Sequence, residues 1–206
     1  MAGSIFKKAV KQETGIAWET WLNDLGRVVD PVWSNEQIAG YIANEYDVTL
    51  EWSERIALVY EQHSGRKPVG VTASAGVQIG VRKTIPVSKE QAWTFLLSPE
   101  GLRLWVGDLQ SLPLQPKQTY TSKDGVYGRI ISVVPYRKIR LSWQRPEWDN
   151  PSTLQIYTLT SSSGKTTVSI HQEKLDDLYI REMMKIHWED VLNTISEKMR
   201  GRLSNE

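Results

Sequence analysis

The chain has 206 residues, 25 Lys and Arg against 24 Asp and Glu, a formal net charge of +1 and no cysteine. Balanced charge without a long basic run excludes the electrostatic footprint of a nucleic-acid binder, and the missing thiols exclude disulfides, thiolate metal sites and cysteine nucleophiles. No stretch approaches the roughly 20 apolar residues of a membrane span, and MAGSIFKKAVKQETG at the N-terminus lacks the apolar core of a secretory signal, so the expected compartment is the cytoplasm.

Residues 14–64 carry helical periodicity. In WETWLNDL, Trp18, Trp21, Leu22 and Leu25 recur at spacings of three and four and share one helical face. SNEQIAGYIANEY opens with Ser34 and has Gln37 three residues later, the capping-box pattern that satisfies orphan N–H groups at a helix start. Ile38, Tyr41, Ile42 and Tyr46 continue its period. TLEWSERIALVYEQHSG begins at a candidate cap, Thr49, and stops at Gly65. Three short amphipathic helices, forming a small bundle, are predicted. SGRKPVGVTASAG has no periodicity and reads as a connection. The expected organisation is a helical domain over 1–66, a linker over 67–76 and a second domain over 77–206.

The period then changes to two. VQIGVRKTIPV (77–87) reads as a strand. SKEQAWTFLL starts with a second capping box, Ser88 with Gln91, and Pro99 breaks that helix and begins a further short one. Strands follow near 117–122, 126–134, 137–145, 152–160 and 164–175. Residues 176–203 are the longest helical signal, with Ile180, Met184, His187, Trp188, Val191, Leu192, Ile195 and Met199 on one stripe. Strands joined by short turns predict an antiparallel sheet, and the long helix is the element available to cover one face of it. The predicted class is α+β: six antiparallel strands curved around a long C-terminal helix, preceded by the small helical bundle.

Three stretches carry a family resemblance: GRIISVVPYRKIRLSW (128–143), TTVSIHQEKL (166–175) and the tryptophan of HWEDVLNTI (187–195). Together with the element order they resemble the helix-grip superfamily of START and birch-pollen-allergen-like (SRPBCC) domains, and within it the activator of Hsp90 ATPase homologue group. The N-terminal block resembles a small helical domain of unknown function found ahead of such domains. The resemblance implies a hydrophobic cavity between sheet and helix. Members bind lipids, hormones or other apolar molecules, perform cyclisations, or bind chaperones. The activator's own N-terminal chaperone-binding domain is not visible in this sequence.

Ile139, Leu141 and Trp143 share one side of their strand, and Arg140, Ser142 and Gln144 the other. On the strand before, Gly128, Ile130 and Val134 oppose Tyr127, Ile131 and Val133. Nine tryptophans stand against two phenylalanines, and indoles suit packed cores, cavity walls and interfaces alike, so the excess by itself does not choose among them. If a cavity exists, its candidate ligand-binding residues are Trp93, Trp105, Tyr127, Trp143, Met184, His187 and Trp188. Met183 or Met184 would supply an adaptable wall, and Trp148 would be either an exposed lid or folded back. His187, one helical turn from Met184, could anchor a polar group or act as a general base. Asp176 and Asp177 read as helix caps.

No phosphate loop, metal-ligand spacing or catalytic constellation is visible, so no cofactor, metal or catalytic residue is expected. The function read from this pattern is a non-catalytic binding protein, stress-related in the family's sense, holding a small apolar or amphipathic ligand. The alternatives are a protein-interaction module linked to a chaperone, and an enzyme using His187 inside the cavity. The expected partners are a small apolar ligand or a protein, with no nucleic acid and no membrane span.

Overall fold

The computed structural model describes residues 2–66, 71–72, 76–161 and 164–203. They fall into two compact units, Met1–Val77 with Leu175–Glu182, and Gln78–Lys174 with Met183–Glu206.

The first unit contains four helices rather than three: α1 (Ser4–Thr14), α2 (Trp18–Val28), α3 (Asn35–Glu45) and α4 (Leu50–His63). The additional one is α1. Phe6 and Val10 sit one turn apart and are fully buried, which is amphipathic spacing inside the segment that lacks the apolar core of a secretory signal. Gly15, at φ +72°, ends the helix by donating its N–H to Lys11 O at 3.0 Å. The predicted caps form. Ser34 and Gln37 bond reciprocally, and Thr49 Oγ1 accepts from Trp52 N. Phe6 meets Trp18 edge-on at 5.1 Å, and Trp21 packs on Tyr46 at 4.5 Å. Asp177 is a cap, as the sequence indicates, but a buried one. Its carboxylate accepts from Ile180 N and Gly3 N, both at 2.8 Å. Burial pushes its pKa up, against the pull of those two N–H groups. A two-residue strand, β1 (Val71–Thr72), pairs antiparallel with Gly76 and Val77 inside the predicted linker. Residues 67–70 and 73–75 of that linker lie outside the described residues.

The second unit is built from β2 (Gly76–Ile85), α5 (Lys89–Leu97), α6 (Pro99–Trp105), β3 (Thr119–Thr121), β4 (Tyr127–Val134), β5 (Lys138–Trp143), β6 (Ser152–Thr160), β7 (Thr166–Leu175) and most of α7 (Leu178–Leu203). The strand order is β1-β2-β7-β6-β5-β4-β3. The six strands predicted are present, and β1 makes a seventh at one edge. β3 to β7 pair antiparallel, with Ile139 opposite Ile156 and Ile156 opposite Ile170. These residues, with Leu141, Leu154 and Val168, are buried. They form the inner face, which α7 covers with Met184, Trp188, Val191, Leu192 and Ile195.

The β4–β5 hairpin departs from strict alternation. Ile130 pairs with Leu141 but Ser132 pairs with Arg140, so a bulge falls at Ile131. The extra residue turns Val133, rather than Val134, to the side of Ile130, opposite Ile139. Alternation read from sequence assigned those two the other way round because it does not register an inserted residue. Gly128 is needed for a close approach: a Cβ there would stand 1.9 Å from Ser142 O and 2.7 Å from the Tyr120 hydroxyl. The hairpin turns through Tyr136 at φ +57°, whose carbonyl accepts from Thr158 Oγ1 at 2.8 Å.

Candidate functional site

Strands β5 and β7 and helix α7 bring the predicted wall residues together. Trp143 and Trp188 are 5.7 Å apart between ring centroids, and Trp148 meets Trp143 edge-on at 5.2 Å. Trp148 is thus folded back, not a lid, and only 7% exposed. Gln144 secures it by donating from Nε2 to Trp148 O at 2.7 Å.

Polar handles link these rings in a chain. Trp188 Nε1 donates to Gln172 Oε1 at 2.7 Å. Gln172 Nε2 donates to Ser152 Oγ at 2.8 Å, and Ser152 Oγ donates to Trp143 O at 2.7 Å. Trp143 Nε1 donates to Trp105 O at 3.2 Å, and Trp105 Nε1 to Leu96 O at 2.9 Å. Every link is buried. A buried indole N–H without a partner costs roughly 1–3 kcal/mol, and here three indoles find partners within the fold. Sequence reading missed Gln172 and Ser152. The signal for Gln172 was present, because it shares the inward parity of Val168 and Ile170 on β7. A polar side chain on that face needs a buried partner.

Of the seven candidate binding residues, Trp93, Trp105, Trp143, Met184 and Trp188 are buried. Met183, the alternative to Met184, is 42% exposed. Trp93 packs beside Tyr136 of the hairpin turn, at 5.9 Å. Tyr127 stands apart from this group. It pairs with Gln144, out of phase with Trp143, and is 42% exposed. His187 is partly buried against Trp188, at 4.6 Å. Burial, reinforced by the Arg145 guanidinium and opposed by Asp190, lowers its pKa to about 4, so the ring is neutral near pH 7. A general base poised for that pH range would titrate much closer to it.

A cleft in this unit runs between α5 and the end of α7. It holds about 320 Å³ and is lined by Val87, Gln91, Phe95, Met199 and Arg202 among others. The Arg202 guanidinium lies over the Phe95 ring at 4.9 Å and also bonds Glu100. The floor of the cleft is thus already partly covered by a side chain of the protein.

The outer face of the sheet has a different character. Arg140, Gln155 and His171 form one row across β5, β6 and β7. Glu173 accepts from Gln155 Nε2 at 3.1 Å and lies 3.4 Å from His171 Nδ1, while Tyr157 donates to Gln155 Oε1 at 2.9 Å. Arg140 Nε is buried and has no hydrogen-bond partner among the described residues. Beside this row Tyr127, Ile131, Val134 and Leu159 are each at least 40% exposed. β3 pairs with Tyr127–Arg129, and Lys117 and Gln118 bond the backbone of Ile130, so among the described residues Ile131–Val134 run along an edge of the sheet. Among the described residues no group of three or more His, Asp or Glu is placed to hold a metal ion, and no described helix is long and apolar enough to cross a membrane.

A long C-terminal helix laid across an antiparallel sheet, with two short helices after the first long strand, defines a helix-grip domain. The chain belongs to the family described as activator of Hsp90 ATPase homolog 1-like protein, whose model matches residues 86–199. Solved structures with the same fold include a Mesorhizobium loti protein at 16% identity and TM-score 0.50, covering 60% of this chain and 96% of that one. CalU16 from Micromonospora echinospora matches at 16% identity and TM-score 0.53, over 63% of this chain and 80% of that one. An HSP90 activator from Plasmodium falciparum matches at 16% identity and TM-score 0.50, over 60% and 96%. Among curated proteins none matches.

Proposed function

We propose that this member of the family is a non-catalytic protein-interaction module that works through the outer face and β4 edge of its sheet. The observation that carries the reading is the contrast between the sheet's two sides. On the inner side the residues that could line a cavity are buried, and the N–H groups of Trp105, Trp143 and Trp188 are bonded within the fold. On the outer side Ile131 and Val134 meet solvent along the edge of β4, and Tyr127 is exposed beside them. Exposed apolar side chains on a sheet edge are a common site of protein docking. The family description makes a purified Hsp90-type chaperone the first probe.

Saturable binding of that chaperone, lost in the Ile131→Asp/Val134→Asp double variant with an unchanged circular dichroism spectrum, supports the reading. Native mass spectrometry and thermal shift test the competing one. A small apolar molecule that co-purifies with the chain, raises its Tm and loses that effect in Trp188→Phe would overturn the proposal in favour of ligand binding between sheet and helix.

A further inference from the structure

In the first unit α3 and α4 leave an open groove of about 520 Å³ between them, its lining outside the segment the family model covers except for Glu182. Its floor is apolar: Ala39, Gly40, Leu50 and Leu58. Leu50, the first residue of α4, is 64% exposed. Gly40 stands within α3, where glycine is a poor helix former, and a Cβ built on it meets nothing within 4 Å. The missing side chain therefore opens the floor of the groove.

The rim is acidic: Glu36, Glu51, Glu54 and Glu182. Arg55 is the basic residue of the lining, and it is already engaged. Its Nη2 bonds Glu51 Oε1 at 2.5 Å, and its guanidinium lies over the Trp52 and Tyr179 rings at 5.1 and 5.6 Å. Glu36 is ionised at neutral pH, held low by the Ser34 hydroxyl. The groove thus pairs an apolar floor with a rim on which four glutamates outnumber one arginine, Glu51 being bonded by Arg55 and Glu182 by Arg181. A helix docking in such a groove presents apolar anchors at i, i+3 or i+4, and i+7, and complementary charge around them sets the approach rate and selects the partner.

We infer that the α3–α4 groove binds a basic amphipathic helix of a partner protein, its apolar residues on Ala39, Gly40 and Leu58 and its lysines or arginines on the glutamate rim. An anionic membrane surface or an acidic peptide would be repelled by the same rim. This inference is independent of the sheet's outer face, and the residues that test it belong to the other unit.

The probe is a 14-residue amidated helical peptide, a length of about four turns, with leucines on one face and lysines elsewhere. Its control keeps the leucines and replaces every lysine by glutamate. With the full chain, the lysine peptide is expected to bind saturably, with affinity falling as salt rises, and to shift the amide resonances of Ala39, Gly40, Leu50 and Leu58. Glu54→Lys is expected to weaken that binding about tenfold or more, the scale of one lost charge pair at a rim. Gly40→Leu should fill the groove and block binding while leaving Tm unchanged or higher, since it replaces a helical glycine without a clash. The inference is overturned if the lysine peptide fails to bind, if the glutamate peptide binds as well, if both variants bind like the parent, or if the shifted resonances lie elsewhere.

Discussion

Tryptophan serves two purposes in this protein, one in each unit. In the helical unit, Trp18, Trp21 and Trp52 pack by ring faces and edges against Phe6, Tyr46 and Tyr179. Among the described residues the indole hydrogen bond in that core, Trp21 Nε1 to Thr14 Oγ1, is long at 3.4 Å. In the sheet unit, Trp105, Trp143 and Trp188 hold one another through donors of 2.7 to 3.2 Å to carbonyls and to Gln172. The first arrangement depends on area and shape, and tolerates loss of the N–H. The second depends on the N–H, because each link removed strands a buried polar group. An indole-rich composition can therefore mean a closed, hydrogen-bonded interior as readily as a cavity wall.

Four measurements break or sharpen this contrast. Trp188→Ala removes both ring and donor, and should lower unfolding free energy by about 3–5 kcal/mol in urea melts. A change under about 1 kcal/mol would mean that the space between sheet and helix is not closed by this ring. Next in size, Gln172→Leu keeps the volume but leaves Trp188 Nε1 without its buried acceptor and removes the donor to Ser152 Oγ, costing about 1–3 kcal/mol. Its counterpart Thr14→Val should destabilise by less, and equal losses would erase the distinction between the two interiors.

The third measurement is a pH series. The folded-state pKa of His187 is depressed to about 4 from 6.5, so the unfolded chain takes up a proton first as pH falls. Its contribution is present above about pH 6.5 and is lost as pH drops towards about 4, to the extent of about 1–2 kcal/mol after screening at a partly exposed ring. His187→Gln should flatten that slope selectively. A slope unchanged by the substitution would place the acid sensitivity elsewhere, with Asp177 excluded on sign. Its raised pKa makes protonation favour the folded state, so it stabilises as pH falls. The smallest expected effects are those of the caps: Ser34→Ala in one unit and Ser88→Ala in the other should each cost about 0.5–2 kcal/mol. Similar values in both would show that local helix termini do not share the difference between the cores.

Much of the fold was legible because its signals are local. Ser34 with Gln37, Ser88 with Gln91, and Thr49 announce helix starts through hydrogen bonds that span three residues. The six longer strands follow from period two, and the stripe Ile180 to Met199 from the helical period. Helix α1 was legible too, in the one-turn spacing of Phe6 and Val10. The bulge at Ile131 was not legible, since it is a property of pairing between two strands and leaves no mark on either alone. The candidate site was half legible. Trp143, Trp188 and Met184 do converge, as strand parity and helix stripe imply, whereas Tyr127 stands on the exposed side. Gln172 could be seen as an inward polar residue, but its two partners come from residues 152 and 188, and no spacing rule connects them.

By itself the sequence determined which segments are helix and which are strand, where several of the helices begin, and that a long amphipathic helix had to cover an antiparallel sheet. Those outcomes rest on interactions between residues a few positions apart, and the chain carries them wherever it goes. Only the tertiary structure decided what the indoles do once they meet. Whether buried indole N–H groups find partners depends on differences of a few tenths of an ångström in the distances between Trp105, Trp143, Ser152, Gln172 and Trp188, and those distances exist only when the strands and helix have come together.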